Sequence, residues 1–232
     1  MMSNHPRPLA IITARTGSKG IPLKSFRALG GRSPFMRALD CATQLALDVV
    51  VSVDSKAPRQ PVAAGVALWL TRPTALAQDE TTMAAVIAHV LGAVSGPPDQ
   101  IILLLQPTQP LRDPRYVIQA IGLLRPLTSG TIISVTAAPS PDKLLRMIST
   151  RDRDHGPLRL ESWEDVLVER RQDATPAYQR DGTVYAWRRG QPFMGQPWVP
   201  LIVLPEHTCQ LDTEDDWREA ERRLVQQNHH DL

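Results

Sequence analysis

The sequence has 232 residues, of which 42% are hydrophobic and 22% charged, and its formal net charge is +2. These values are typical of a soluble globular protein and give no reason to expect a nucleic-acid partner. The sequence contains only two cysteines, Cys41 and Cys209, and no apolar run approaches the ~18 residues of a membrane span. We therefore expect neither a disulfide framework, a membrane segment nor a signal peptide, which favours a cytoplasmic protein.

Short apolar segments alternate along the chain with segments of helix-like apolar spacing. The strand candidates are Leu9–Ile12, Val49–Val53, Ala67–Leu70, Ile101–Leu105, Ile132–Val135 and Val199–Leu204. The helix candidates are Pro34–Leu47, Thr82–Val94, Pro114–Leu124 and about Glu214–Gln227. This alternation predicts an α/β fold with a mostly parallel sheet and helices on both faces. In such sheets ligands bind beyond the carboxyl ends of the strands, where the strand order reverses.

The region 139–190 interrupts the alternation, because it is polar and has too few apolar residues for a core of its own. We therefore expect a single domain over residues 1–232, with 139–190 as an excursion from the sheet. Asp113 and Thr213 precede two of the helix candidates, and their side chains are predicted to cap those helices.

The loop that follows the first strand is rich in glycine and positive charge. Residues 14–24 have the sequence ARTGSKGIPLK. Glycines let the backbone approach a ligand closely, and Arg15, Lys19 and Lys24 supply positive charge, a combination that suits a polyphosphate. The chain has no Gly-Lys dipeptide, so the loop is not a P-loop, and it lacks the spaced glycines of a dinucleotide fingerprint. A solvated basic loop without a ligand is the alternative.

This loop resembles the nucleotide-binding loop of the cytidylyltransferases that activate N-acylneuraminate (sialic acid) and related nonulosonic acids. The pattern of that family is Ala-Arg-x-Gly-Ser-Lys-Gly-x-x-x-Lys-Asn, and the chain departs from it at Ser25, where the family has Asn. The resemblance implies catalytic contacts to the triphosphate from Arg15, Lys19 and Lys24, with Lys24 nearest the α-phosphate. It implies that the nucleotide is bound by Ala14, Arg15, Gly17, Ser18, Lys19, Lys24 and Ser25.

Segments beyond the second, third and fourth strand candidates resemble other motifs of the same family. The sequence VSVD at 51–54 resembles Val-Ser-Thr-Asp, and Arg72-Pro73 followed by Asp79 resembles the segment whose arginine lies near the cytosine. The sequence QPTQPLR at 106–112 matches Gln-Pro-Thr-Ser-Pro-Leu-Arg except at Gln109. By resemblance, Arg72 and Asp79 belong to the nucleotide site. The acceptor sugar is assigned to Gln106 and Thr108, although an ordinary strand-to-helix turn is the alternative.

The segment 171–185 resembles the family pattern Arg-Gln-x-x-Pro-x-x-Tyr-x-x-Asn-Gly-x-x-Tyr, with one extra residue before Pro176, one fewer after it, and Asp181 in place of Asn. An arginine can bind a carboxylate through paired hydrogen bonds, and sialic acids carry a carboxylate at the anomeric carbon. From the residues alone, Asp181-Gly182 also predicts the turn of a β-hairpin. The resemblance assigns to the acceptor Lys143, Arg171, Gln172 and Tyr185.

The sequence QLDTEDD at 210–216 resembles a family segment in which two alternating aspartates hold magnesium. Asp212 retains the second aspartate, whereas Gln210 replaces the first. Residues two apart on an extended segment face the same side, so both side chains are predicted to face one Mg²⁺ ion. An amide oxygen is the poorer ligand, so either Asp212 and the triphosphate hold the ion or activity is altered. A capping role alone is the alternative for Asp212.

Together these motifs extend from about Leu9 to about Ala220. The resemblance implies a Rossmann-like nucleotidyltransferase fold and a homodimer in which the 139–190 excursion contributes to the interface and the acceptor site. It implies transfer of CMP from CTP to the anomeric hydroxyl of a sialic-acid-like 3-deoxy-2-keto acid sugar, with release of pyrophosphate. Gln109 and Asp181 leave open another anionic acceptor, such as an octulosonate or a phosphonate. Gln210 leaves open a nucleotide-binding homologue without turnover.

Overall fold

A computed structural model describes residues 5–18, 20–58, 68–137, 145–148, 159–162 and 177–230. The strands are β1 Leu9–Ala14, β2 Asp48–Val53, β3 Leu68–Thr71, β4 Ile101–Leu104, β5 Thr131–Ala137, β6 Leu145–Ile148, β7 Arg159–Ser162, β8 Ala177–Arg188 and β9 Trp198–Ile202. The helices are α1 Pro34–Gln44, α2 Met83–Ala93, α3 Pro114–Leu124 and α4 Glu214–His230. Within these described ranges, no helix combines the length and the apolar character needed to cross a membrane.

The main sheet has the strand order β3-β2-β1-β4-β8-β5-β9, and β6 and β7 extend from β8. Parallel pairing joins β1 to β2 and β4, β2 to β3, and β5 to β9. Strand β8 runs antiparallel to both β4 and β5. The predicted mostly parallel sheet is therefore confirmed. Its strand order reverses between β1 and β4, so the loops that follow these two strands open at the same edge.

Helices cover both faces of the sheet, as predicted. Along β1, Ala10 and Ile12 pack in the cluster that contains α1 and α3, while Ile11 packs on the opposite face with residues of α2. This alternation explains why β1 is buried on both sides and reads as a continuous apolar run. A smaller third cluster, centred on Trp217, holds α4 against the loop after β1.

The ends of the helices follow local capping chemistry. The Asp113 carboxylate accepts a hydrogen bond from the N–H of Arg115 at 2.8 Å, and the Thr213 hydroxyl accepts one from the N–H of Asp216 at 3.2 Å, so both predicted caps are confirmed. Helix α1 ends three residues before the predicted end at 47. The reason is Ala46, whose φ of 51° is left-handed and reverses the chain after the last turn.

The segment 177–188, which we expected to lie in the excursion, instead forms β8 in the middle of the sheet. The predicted hairpin turn at Asp181-Gly182 is therefore wrong. The register between β5 and β8 shifts between Ile133 and Val135, and Gly182 lies in the resulting bulge with a φ of +77°. A hairpin turn and a bulge both call for glycine at positive φ, so the dipeptide alone does not distinguish them.

Candidate active site

A cavity of about 290 Å³ lies beyond the carboxyl ends of β1 and β4, at the reversal of strand order. Its walls come from the loop after β1, the segment after β3 and the loop after β4. Among the residues singled out from the sequence, those lining it are Ala14, Arg15, Ser18, Lys24, Ser25, Arg72, Asp79, Gln106 and Thr108. The fold therefore brings the expected nucleotide residues and two expected acceptor residues to one cavity.

The Asp54 carboxylate anchors the loop after β1. Its Oδ2 atom accepts hydrogen bonds from the backbone N–H of Thr16 at 2.8 Å and from the Thr16 hydroxyl at 2.7 Å. Asp54 follows β2, so this contact ties the beginning of the loop to the neighbouring strand. Gly17, the next residue of the loop, has no heavy atom within 4 Å of where a Cβ would stand. The loop is therefore fixed to Asp54 at Thr16, and the space beside Gly17 is open.

Two arginines line the cavity in different environments. Arg15 Nη1 donates to Asp79 Oδ1 at 2.7 Å, and about a third of each of these side chains is exposed. Arg72 is buried, and its guanidinium donates to the Ala14 carbonyl while its Nε has no partner. Burial lowers the pKa of Arg72, and the nearby Asp54 carboxylate opposes that shift. Arg72 thus offers a fixed donor in the cavity wall, whereas Arg15 can exchange its partner.

Lys24 joins the loop after β1 to the segment 211–212. Its Nζ donates to the Leu211 carbonyl at 2.5 Å and to Asp212 Oδ1 at 3.2 Å, and its side chain is 16% exposed. The backbone of Gly20 comes so close to the same segment that a Cβ there would stand 2.3 Å from the Asp212 carbonyl oxygen. The loop after β1 therefore packs directly against residues 211–212, and only glycine allows this approach.

Gln210 and Asp212 face the same side, as predicted from their alternation. Gln210 Nε2 donates to Asp212 Oδ2 at 2.8 Å. Asp216 Oδ2 accepts the N–H groups of Asp212 and Thr213 at 3.0 and 2.7 Å, so this carboxylate belongs to the beginning of α4. Because Thr213 caps α4, the capping alternative for Asp212 is wrong.

The donor set around Asp212 is small. Over the part of the chain that the structure describes, no three His, Cys, Asp or Glu side chains form a metal-binding group. The Asp212 side chain is 59% exposed, which leaves its carboxylate accessible to a ligand. One carboxylate and one amide oxygen fit a Mg²⁺ ion that takes its remaining ligands from phosphates and water, but not an ion held by protein alone.

The expected acceptor residues lie in three kinds of places. A Cβ added at Gly182 would stand 2.9 Å from Gln106 Oε1, so the Gln106 side chain lies against the β8 bulge. Tyr185 is buried, and its ring packs edge-on against Phe193 with 5.8 Å between the ring centroids. Burial raises the pKa of the Tyr185 hydroxyl. The remaining candidates lie outside the described residues: Lys19 of the loop, and Lys143, Arg171 and Gln172 of the acceptor site.

Two departures from the resembled patterns lie in the interior. Gln109 and Asp181 are 1% and 4% exposed. The Asp181 carboxylate accepts from the N–H and the hydroxyl of Thr183 at 3.1 and 2.5 Å. These residues therefore stabilise the bulge from the interior of the protein. Their positions in the motifs did not predict this role.

Arg112 supports the same interior region. Its guanidinium donates to the carbonyls of Thr183 and Gln106, each at 2.6 Å. Burial lowers its pKa to about 10, partly opposed by the Cys41 and Asp181 groups. Arg112 thus joins the loop after β4 to β8. The motif at 106–112 therefore contains residues that line the cavity and the arginine that holds them in place.

A family model described as cytidylyltransferase matches residues 9–211. The CMP-N,N'-diacetyllegionaminic acid synthase of Legionella pneumophila is 27% identical over 232 residues, covering 94% of this chain and 96% of the relative. An N-acylneuraminate cytidylyltransferase of Streptococcus agalactiae is 25% identical over 221 residues, covering 91% of this chain but 52% of the relative. This chain thus spans about half the length of that second relative.

A solved structure of CMP:2-keto-3-deoxy-manno-octonic acid synthetase, complexed with CTP, has a TM-score of 0.73 to this chain. The identity is 18%, and the match covers 96% of this chain and 100% of the other. This likeness confirms the Rossmann-like nucleotidyltransferase fold expected from the sequence. Because the family match extends over most of the chain and includes the cavity-lining loops after β1 and β4, the chain belongs to the cytidylyltransferase family.

Proposed function

We propose that the chain transfers CMP from CTP to the anomeric hydroxyl of a sialic-acid-like 3-deoxy-2-keto acid sugar and releases pyrophosphate. The observation that carries this proposal is that one cavity is lined both by the cationic loop after β1 and by the Gln106–Thr108 segment after β4. One wall presents groups suited to a triphosphate and the other presents amide and hydroxyl groups suited to a sugar. The two relatives are named for nonulosonic acids, which supports the same class of acceptor.

The nucleotide would lie along the loop after β1. In this proposal Arg15, Lys19 and Lys24 bind the triphosphate, and Arg72 with Ser25 binds the cytidine. The carbonyl of Ser25 accepts the Phe35 N–H at 2.9 Å, which fixes this residue at the entrance to α1. Buried Arg72 lines the cavity in a fixed position, and a purine needs more room than a pyrimidine, so we expect CTP to bind more tightly than ATP or GTP. Calorimetric titration showing equal or tighter ATP binding would contradict this assignment.

The proposed chemistry is an in-line displacement at the α-phosphorus. The acceptor oxygen forms the new P–O bond, the bond to the bridging oxygen of pyrophosphate breaks, and the hydroxyl proton leaves to solvent. Lys24, whose ammonium now contacts Leu211 and Asp212, would turn to the α-phosphate and neutralise the charge that develops there. Arg15 would exchange Asp79 for phosphate oxygens in the same way. Catalysis would then rest on positioning and on charge.

We propose Asp212, assisted by Gln210, as the protein ligands of Mg²⁺ or another divalent cation. The bound cation would neutralise the phosphates and lower the pKa of an oxygen nucleophile. In the structure Gln210 Nε2 donates to Asp212 Oδ2 at 2.8 Å. This hydrogen bond would break when the amide oxygen of Gln210 turns to the ion.

The acceptor would contact Gln106 and Thr108 in the cavity wall. The proposed partners of its carboxylate and hydroxyl groups are Lys143, Arg171, Gln172 and Tyr185. We further propose that the protein is a homodimer in the cytoplasm. The small number of cysteines, Cys41 and Cys209, and their separation in the sequence support a reducing compartment. Light scattering at several protein concentrations tests the dimer directly.

The deciding experiment measures pyrophosphate release from CTP with a panel of acceptors. The panel contains N-acetylneuraminate, N,N'-diacetyllegionaminate, a 3-deoxy-octulosonate and a phosphonate, and mass spectrometry identifies the CMP-linked product. Turnover of a nonulosonate above the others supports the proposal. Preference for the octulosonate or the phosphonate overturns the acceptor class, and CTP binding without turnover of any acceptor overturns the proposed reaction.

A further inference from the structure

Gln109 makes three hydrogen bonds in the interior, in two directions. Its Nε2 donates to the Asp181 carbonyl of the β8 bulge. Its Oε1 accepts from the Thr208 hydroxyl and from the Cys209 N–H, each at 3.1 Å. A buried amide whose donor and acceptor sides bind different segments holds those segments at a fixed separation.

One of these two segments leads to the proposed metal ligands. The N–H of Leu211 donates to the Thr108 carbonyl at 2.9 Å. Together with the bonds from Cys209 and Thr208 to Gln109, this contact fixes the chain 208–211 against the loop after β4. Gln210 and Asp212 extend from this chain, so their position depends on where Gln109 holds it.

The other segment leads to the acceptor wall. The Asp181 carbonyl immediately precedes Gly182, and a Cβ on Gly182 would stand 2.9 Å from Gln106 Oε1 and 3.9 Å from Gln109 Nε2. The bulge therefore packs against the Gln106 side chain, and Gln109 binds the bulge through the Asp181 carbonyl. Gln109 stands between the two sides of the site without lining the cavity.

We propose that Gln109 is a positioning residue that links the bulge at 181–183 to the chain 208–212, so that a ligand ordering one of them orders the other. This inference rests on the proposed function for the roles of the two sides. The resembled family pattern has serine here, and a serine side chain ends well short of the position from which the glutamine amide spans both segments. The link is therefore a property of this chain's own sequence.

Gln100, which directly precedes β4, provides a matched control at the end of β4 opposite to the cavity. It is also a buried glutamine, whose Nε2 donates to the Arg7 carbonyl at 2.9 Å and whose Oε1 accepts from Arg189 Nε and Nη2 at 3.1 and 2.9 Å. Gln109→Met and Gln100→Met remove the same chemistry at equal side-chain length. A general loss of stability would appear in both variants, whereas a loss of linkage would appear in the first alone.

The test is hydrogen–deuterium exchange of the full chain with and without CTP and MgCl₂. In the wild type we expect slower exchange at both 208–212 and 181–184 on addition of the ligands, by about 10-fold or more at each. In Gln109→Met the response at 208–212 should remain while that at 181–184 is lost. Gln100→Met should respond as the wild type does. A bulge that still responds in Gln109→Met, or that fails to respond in the wild type, overturns the proposal.

Two further measurements keep the test decisive. If Gln109→Met does not fold, Gln109→Asn retains the amide but shortens its reach, and the same loss of response is expected. With any acceptor that the wild type uses, Gln109→Met should raise the half-saturating Mg²⁺ concentration and the acceptor KM together, each about 10-fold. Exchange needs no acceptor, so a failure of the proposed reaction would appear as absent turnover and leave the linkage separately measured.

Discussion

The two walls of the cleft are built in different ways. In the loop after β1, Arg15 and Lys24 contact partly exposed carboxylates, those of Asp79 and Asp212. Behind the opposite wall, which is the loop after β4, Gln109 and Arg112 are buried and donate mainly to backbone carbonyls. Partly exposed ion pairs contribute little to stability, whereas buried polar groups are costly to disturb. Changes in the loop should therefore affect chemistry more than folding, and changes in the opposite wall should affect both.

The largest expected effect is on turnover in Lys24→Ala. A cation that binds the transition-state phosphate more strongly than the ground state lowers the barrier by about 2–4 kcal/mol, so turnover should fall roughly 30- to 1000-fold. Stability should fall by only about 1 kcal/mol, because the pair with Asp212 is partly exposed. Steady-state kinetics and thermal unfolding measure the two effects. Lys56→Ala, at an exposed lysine after β2, is the control. Wild-type turnover in Lys24→Ala would show that Lys24 does not contribute to catalysis.

Gly20→Ala tests the contact between the loop after β1 and the chain 210–212. Its Cβ would meet the Asp212 carbonyl oxygen at 2.3 Å, and because that atom belongs to the backbone, the loop or the chain 210–212 must shift. We expect turnover to fall about 10- to 100-fold and stability by about 1–3 kcal/mol. Gly122→Ala is the control, since a Cβ there meets no atom within 4 Å and the residue lies in α3, away from the cavity. Equal turnover in the two variants would show that the loop and the chain 210–212 are not in contact during turnover.

Gln210→Asp should tighten the binding of Mg²⁺. The substitution adds one negative charge beside the ion, an effect of about fivefold on the half-saturating Mg²⁺ concentration at solvent-like screening. Without the ion, the hydrogen bond from Gln210 to Asp212 is replaced by repulsion, so the apo protein should lose stability slightly. Pyrophosphate release at saturating CTP gives the measurement, with Gln210→Ser as the neutral control. An unchanged Mg²⁺ requirement in Gln210→Asp would show that Gln210 does not face the ion.

The fold was largely predictable because strand burial and helix caps are local in the sequence. Helix α3 begins and ends at the predicted residues, Pro114 and Leu124, since Asp113 caps it directly. Strand β8 was not predicted, because its partners β4 and β5 lie far away in the sequence and its bulge breaks the regular alternation of side chains. Pairing across such distances leaves no local trace in composition.

The site was predictable to the extent that its residues are contiguous. The loop after β1 contributes Arg15 and Lys24 from one short segment, and both line the cavity. Burial, in contrast, decides what a departure from a family pattern means. Gln109 is buried and links backbone segments, whereas Gln210 contacts the exposed Asp212 carboxylate. From the sequence, Gln109 was interpreted only as an altered acceptor-side residue, and its linking role could not be predicted because the partner of a glutamine depends on tertiary contacts.

The smallest effect is expected for Asp216→Asn, which tests the beginning of α4. Burial works to raise the pKa of this carboxylate, but hydrogen bonds from the N–H groups of Asp212 and Thr213 lower it on balance. A lowered folded-state pKa means that the stabilisation is full above the unfolded value of about 4 and is lost as the pH falls through the folded value. We therefore expect Asp216→Asn to cost about 1 kcal/mol near pH 7 and progressively less below pH ~4.

Urea unfolding at pH 7 and pH 3 measures this change, and Asp215→Asn is the control, because Asp215 is 89% exposed and contacts Arg218. The asparagine side chain keeps the shape and an oxygen acceptor, so only the part of the stabilisation that depends on the charge should disappear. A difference between Asp216→Asn and wild type that is as large at pH 3 as at pH 7 would show that the charge does not matter. The hydrogen bonds would then stabilise α4 equally well when they are made to a neutral group.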